Sequence, residues 1–500
     1  MLEKYCDILV IGTELPGLVT GAFLAKRGLS VQILETDSYS EHSNLPDPVC
    51  LTNVKSKLLR SILGRLNVPE NTIQNLLHQE TTLQVLFPKH RIDIFENPLY
   101  YEEEISREFP KFHEELKNFY ETLARLRHQT DVNELFQHLL PFSWREKNHF
   151  KKFIKIHHLN EKNKDYGQLH DADILLKTYL DAQILVALNL ICEEPFSHQV
   201  AELFNPTDGA VFSVVSGCRD LQKMLLDRIS SHNGKIRRKE IIQKLLYRQG
   251  VFEGAELKHS QDSILAKYFI WNTSFEDLQT VLPNKWCFRS LRKKCGFFPT
   301  HFHWFTVKFK IEKRFIPDPM KKNCLVILDP KKELRGTNFL YLQLKDLKHQ
   351  EDTIISVNFL LPKSTLKENS EFFQKYFEEI QKHLTDFLPF SKGHLKQVFP
   401  FSPDSDQQDL LFPLHEDDFE IFIHSAQTNG ILQQDEKKFL DLFPLNFKTP
   451  APNLFLSHPA IFAPFGLDAK LTLGLKITDI IWQETEKEKR RAMKAERRIA

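Results

Sequence analysis

Five hundred residues exceed what one compact core accommodates, so two or three domains, or a discontinuous arrangement, are expected. Lys plus Arg at 67 against Asp plus Glu at 66 leaves a formal net charge of +1, which supplies no field for nucleic acid. Seven cysteines, scattered and without a C-x-x-C pair, fit reduced thiols in a cytoplasmic chain better than a disulfide framework or a zinc site. MLEKYCD carries no cleavable-signal pattern, and no apolar run approaches a membrane span. Gly is scarce at 17 and Phe abundant at 41, often in pairs such as Phe297-Phe298 and Phe372-Phe373. A phenylalanine-rich core explains the pairs; an aromatic-lined cavity for a bulky apolar ligand is the sharper reading.

The first stretch, Asp7 to Glu35, reads as strand, tight turn, helix, strand: a β-branched run to Ile11, Pro16 and Gly17 opening a helix, and a second apolar run from Val31 to Leu34. A dinucleotide-binding turn needs glycine to bend, to admit the pyrophosphate and to pack helix on sheet. Those three places hold Gly12, Glu14 and Gly17, and Gly21 follows one helical turn later. Glu35 ends the second strand where an acid would bind a ribose hydroxyl. A carboxylate at position 14 is expected to fold onto the helix amides as a built-in anion.

Farther on, a helix is expected over 54–66, and residues 70–145 read mostly as helices. The basic piece from Arg145 to Asp171 reads as a solvated excursion, and Leu175 to Leu203 as a buried helical pair. A sheet resumes with an extended segment to Gly217, a helix from Arg219 to Ser230, a turn at Asn233-Gly234 and short strands, the last ending at Asn272 and Thr273. Between His301 and Leu361 alternating runs predict an antiparallel sheet, followed by the amphipathic EFFQKYFEEIQKHLTDFL. A final βα unit, NLFLSHPAIFAPFGLDAKLTLG, leads to a tail after Gln483 that reads as an exposed charged helix, with peripheral membrane contact as the minority reading. His301 and His303 read as ordinary histidines, no metal ligand set is expected, and no Walker loop, Gly-x-Ser-x-Gly elbow or HExxH occurs.

Three segments, in order, resemble the flavin-dependent amine oxidase and phytoene desaturase superfamily, and most closely its phytoene-desaturase-like branch: the N-terminal βαβ, SGCRDLQKMLL…NGKIRRKEIIQKLL, and the C-terminal βα unit. The resemblance implies an α/β plus α+β fold, with a discontinuous Rossmann-like FAD/NAD(P)-binding domain from 1–70, 200–290 and 440–482. A mixed helical and antiparallel-sheet substrate domain would come from 71–199 and 291–439, and 483–500 would be the charged tail. It implies FAD as cofactor, with Gly12, Thr13, Glu14, Leu15 and Gly17 at the phosphate turn and Glu35 on the adenosine ribose. Ile242 matches the strand residue whose backbone meets the adenine, Ser457 and His458 stand where the family carries Gly-Asp, and Gly466 and Leu467 open the helix that faces the flavin ring. Glu14, Ser457-His458 and the missing Gly-Gly loop after Glu35 all depart from the pattern at the cofactor.

Two functions remain open. One is a flavin-dependent oxidoreductase with weakened flavin binding, acting on a large apolar or lipid-like substrate, with no nameable catalytic acid or base. The other is a flavin-free relative serving as a binding or escort protein with a protein partner, as the escort proteins of prenylated small GTPases do in the wider superfamily.

Overall fold

The computed structural model describes residues 5–35, 51–53, 57–78, 83–94, 98–129, 144–192, 194–197, 200–201, 211–214, 218–238, 240–258, 262–296, 300–347, 351–400, 416–427, 430–434, 445–458, 461 and 466–499. From the N-terminus run β1 (Tyr5–Ile11), α1 (Leu15–Lys26), β2 (Val31–Glu35), β3 (Leu51–Asn53), α2 (Lys57–Arg65), α3 (Glu70–Leu76), β4 (Leu77–His78), β5 (Leu83–Leu86) and β6 (Arg91–Ile94). Helices α4 (Pro98–Glu108), α5 (His113–Gln129), α6 (Trp144–Ile156), α7 (Lys164–Ala172) and α8 (Ile174–Leu188) lead to β7 (Leu190–Cys192) and β8 (Val211–Val214). Next come α9 (Cys218–Ser231), β9 (Lys235–Arg238), β10 (Ile242–Arg248), β11 (Val251–Leu257), β12 (Ser263–Trp271), α10 (Phe275–Val281) and α11 (Arg289–Gly296). The rest comprises β13 (Thr300–Glu312), β14 (Asn323–Ile327), β15 (Gly336–Asp346), β16 (Asp352–Pro362), α12 (Ser370–Phe387), β17 (Lys396–Phe399), α13 (Glu416–Gln427), β18 (Gly430–Gln434), β19 (Leu454–Leu456) and α14 (Gly466–Ile499).

The architecture is mixed α/β, with two large mixed sheets and a small antiparallel one, β3-β8-β4. In the first sheet the order is β10-β11-β12-β1-β2-β9. Strands β12, β1, β2 and β9 are parallel, and β10 and β11 antiparallel. β12 changes neighbours along its length: Ser263 to Leu265 pair with β11, and Phe269 to Trp271 pair in parallel with β19. Three separated stretches of chain therefore share one sheet.

A parallel strand covered on both faces must be apolar on both, and Ile8 to Ile11 of β1 are all buried. α1 is buried at every position from Leu15 to Ala25, because α9 and α14 both lie against it. Small residues set those approaches. A Cβ on Gly21 would meet Ile229 at 3.2 Å and Ile33 at 3.4 Å, and one on Gly474 would stand 2.5 Å from the Pro16 carbonyl. Thr20 Oγ1 lies 3.0 Å from Pro16 O and 2.9 Å from Gly474 O, so a buried hydroxyl finds acceptors on both helices.

The second sheet runs β6-β5-β14-β15-β16-β13-β18-β7, with β17 also on β13; β5/β14 and β18/β7 are parallel and the other pairs antiparallel. Alternation along β13 sends Phe305, Val307 and Phe309 to one face, where they pack with Phe359, Phe373, Phe377 and Phe422 from β16, α12 and α13. Ring centroids of 5.2 Å for Phe305–Phe373 and 5.0 Å for Phe373–Phe422 make this interdigitated core. The pair Phe372-Phe373 thus belongs to packing rather than to a cavity wall; Phe297-Phe298 lies outside the described residues.

One expectation from sequence is refined and one needs correction. The 70–145 stretch is mostly helical among its described residues, and it also contributes β5, which pairs with β14, and β6, which pairs with β5. The basic stretch from Arg145 to Asp171 is no excursion: α6 and α7 bury Phe150, Phe153, Ile154, Tyr166 and Leu169, an apolar stripe at helical spacing hidden among lysines. The last helix continues unbroken through the charged tail, with one face buried as far as Thr485 and every residue from 487 to 496 exposed.

Candidate functional site

Of the matched positions, Gly12, Glu14, Gly17 and Ser457 meet at the carboxyl ends of β1, β12 and β19 around one side chain the motif did not name. Asn272, directly after β12, is fully buried. Its Oδ1 accepts from the Gly17 amide at 3.0 Å and from the Ser457 hydroxyl at 2.8 Å. Its Nδ2 donates to Glu14 O at 2.6 Å and lies 3.3 Å from Gly12 O, and its backbone amide donates to Ile11 O at 2.8 Å. One asparagine bolts the β1–α1 turn to the ends of β12 and β19.

That bolt explains which glycines the turn kept. Gly12 has φ +99°, and a Cβ there would stand 2.4 Å from Asn272 O; a Cβ on Gly17 would stand 2.3 Å from Asn272 Cγ. Both are demanded by the protein's own packing. The middle place, whose glycine serves only to admit a ligand, holds Glu14.

Glu14 occupies the N-cap of α1 with extended dihedrals but makes no side-chain cap hydrogen bond. The expected fold-back onto the helix amides therefore does not occur. An N-cap side chain bonds the second or third amide of the helix; the second residue here is Pro16, which has none, and the third is Gly17, already given to Asn272. Neither position therefore offers a phosphate an amide: Pro16 has none and that of Gly17 is taken. Thr13 is half-buried, and Leu15 is buried in the core.

Glu35 ends β2 as a buried carboxylate with Arg238 Nε, on the neighbouring β9, at 3.4 Å. The Glu240 amide donates to Glu35 O, which brings the chain leading to Ile242, the buried first residue of β10, beside the end of β2. After β19, Ser457 is spent on Asn272, and the half-buried His458 sets its ring 4.7 Å from Phe275. Burial pushes that imidazole down to about 4, so it is neutral at pH 7 where the resembled family carries a carboxylate. Gly466 opens α14 and Leu467 is buried in its first turn.

These residues do not fit a tightly held dinucleotide: two helix amides are unavailable, a carboxylate stands at the turn, and the Gly-Asp pair is replaced. Asn272 was missed because its partners lie 255 and 185 residues away in sequence; an Asn closing a buried strand just before a helix cap was the available signal. Among the described residues, no three His, Cys, Asp or Glu side chains converge to hold a metal, and no helix is long and apolar enough to cross a membrane. Cys6, Cys192, Cys218, Cys287, Cys295 and Cys324 form no disulfide.

No protein-family model and no curated protein matches the chain. Solved structures do match in fold. A putrescine oxidase variant with redesigned cofactor binding is 11% identical with a TM-score of 0.57, covering 96% of this chain and 99% of that one. An oxidoreductase from Methanosarcina mazei is 14% identical with a TM-score of 0.55, covering 96% and 100%. Wild-type putrescine oxidase bound to putrescine is 11% identical with a TM-score of 0.53, covering 96% and 99%. The chain has the fold of these oxidoreductases over nearly its whole length.

Proposed function

We propose that this protein keeps a flavoprotein-like scaffold, a discontinuous Rossmann-like unit built from 1–70, 200–290 and 440–482, but holds no resident FAD and works by binding an apolar ligand or a protein partner. The observation that carries this reading is the sorting of the turn: Gly12 and Gly17 are retained against Asn272, while the ligand-facing place is Glu14. A carboxylate about 5 Å from a phosphate charge costs about 3 kcal/mol at an effective dielectric near 20. Each 1.4 kcal/mol is about tenfold in affinity.

The test is flavin content. Protein purified without added cofactor and then denatured should release less than about a tenth of an equivalent of FAD by absorbance, and titration with FAD should give a dissociation constant above roughly 10 µM, or about −7 kcal/mol. Stoichiometric FAD would overturn the reading. It would favour the second one, a phytoene-desaturase-like oxidoreductase acting on a large apolar substrate, for which the buried Glu35 at the end of β2, with Ile242 close by, speaks.

A further inference from the structure

The stretch that follows α10 carries one sign of charge. From Leu278 to Ile311 the sequence holds no Asp or Glu, while Lys285, Arg289, Arg292, Lys293 and Lys294 fall within its first half. This part folds as a single 3₁₀ turn, Trp286–Phe288, running straight into α11. Phe288, Leu291 and Cys295 form its buried stripe, and the Phe288 ring lies 5.1 Å from that of Tyr247 and 5.6 Å from that of Phe252. The opposite stripe, at the same helical spacing, is Trp286, Arg289, Ser290, Lys293 and Lys294, all exposed.

Trp286 breaks the pattern of this amphipathic piece. It is 89% exposed, more than any other large apolar side chain among the described residues. The turn that presents it is pinned: Arg292 donates from Nη1 to Asn284 Oδ1 at 3.1 Å and from Nη2 to Pro283 O at 2.6 Å, and the Phe288 amide donates to Lys285 O at 3.1 Å. Lys285, Arg289, Lys293 and Lys294 enter no ion pair among the described residues, and of the acids that open α10, Glu276 is paired with Lys363 at 3.3 Å. The indole therefore stands in water on a rigid turn, with four uncommitted cations along the same face.

We propose that this face is a docking surface for an anionic lipid membrane, with Trp286 entering the headgroup layer and Lys285, Arg289, Lys293 and Lys294 meeting the negative headgroups. Charge complementarity chooses the occupant: indole settles at the boundary between headgroups and hydrocarbon, and each cation close to an anionic leaflet strengthens binding about fivefold. Single-stranded nucleic acid is held by several stacking rings along a groove, and this face presents one ring. The surface uses none of the dinucleotide turn, so flavin content and membrane binding are decided by separate measurements.

The full chain is tested against vesicles of phosphatidylcholine alone and with about 30% phosphatidylserine, in about 0.1 M salt. Wild type should bind the anionic vesicles at least about tenfold tighter than the neutral ones. Lys293→Gln with Lys294→Gln should weaken that binding about thirtyfold and Trp286→Ala about tenfold, both melting as wild type does because these side chains are exposed. Brominated acyl chains should quench the tryptophan emission of wild type and leave that of Trp286→Phe unquenched. Arg490→Gln with Arg491→Gln, on the exposed end of α14, should bind as wild type does. Equal affinity for the two vesicle types, a larger loss from the α14 pair than from the α11 pair, or quenching that survives in Trp286→Phe would overturn the proposal. So would an oligothymidylate that binds and quenches Trp286 while the vesicles do not; that result would assign a nucleic acid to this face.

Discussion

Around Gly12 the polar groups that meet at Asn272 all find partners, whereas on the second sheet a row of buried polar groups ends at the Lys308 ammonium, which no hydrogen bond from the described residues reaches. The first cluster is complete without any ligand, so its residues are worth stability. The second sets an ammonium at the end of a buried row, and enclosing a charge that no described group answers costs stability.

Breaking Asn272 should have the largest effect. Asn272→Ala strands the buried Gly17 amide and takes one of two hydrogen bonds from each of the Glu14 carbonyl and the Ser457 hydroxyl, and should cost about 4 kcal/mol in urea unfolding. An unfolding midpoint within error of wild type would show that the cluster is not the bolt it is drawn as. Next, Gly474→Ala drives a methyl into the Pro16 carbonyl and should cost about 2 to 3 kcal/mol by separating α14 from α1.

A pH series sharpens the comparison further. His458 is held at about 4 and His303, buried with Nδ1 bonded to Ala426 O at 2.9 Å, is also held below its ordinary value by burial. A base whose pKa is lower folded than unfolded binds more protons when unfolded, so its contribution is full above about pH 6.5 and is lost as pH falls toward the folded value. Urea midpoints should therefore decline from pH 6.5 to pH 4.5, and His458→Gln should decline less steeply, by on the order of 2 kcal/mol over that range. The smallest change in stability belongs to Glu14→Gly, within about 0.5 kcal/mol, since glycine is itself an accepted N-cap residue and no side-chain cap hydrogen bond is lost. Its effect on FAD affinity, measured by fluorescence titration, should be a gain of about tenfold or more.

The βαβ at the N-terminus, the return to the sheet at β9 to β12 and the alternation of β13 to β16 were legible because each follows from local periodicity. Gly21, one helical turn after Gly17, sits against β2 and α9. What escaped were relations between distant stretches. Asn272 stood visibly at a strand end, but nothing local says that its amide reaches Gly17, and Glu14 was expected on an amide that Asn272 had already taken. That Lys308 in FTVKFKI is enclosed follows only from its pairing with Ser356 and Phe399, which local alternation does not specify. The stripe of Phe150, Phe153 and Ile154 was obscured by the lysines around it.

The sharing of one sheet by distant stretches also sets a clock on biosynthesis. Asn272 leaves the ribosome well before Ser457, and at about 5 to 20 residues per second the 185 residues between them take roughly 10 to 40 seconds to make. Through that interval the carboxyl end of β12, with Phe269 to Trp271, waits without β19, an apolar edge open to any strand that can pair with it. The nascent chain is most exposed to misassembly at this edge, and a chaperone that shields it would matter more to the yield of this protein than to its final stability.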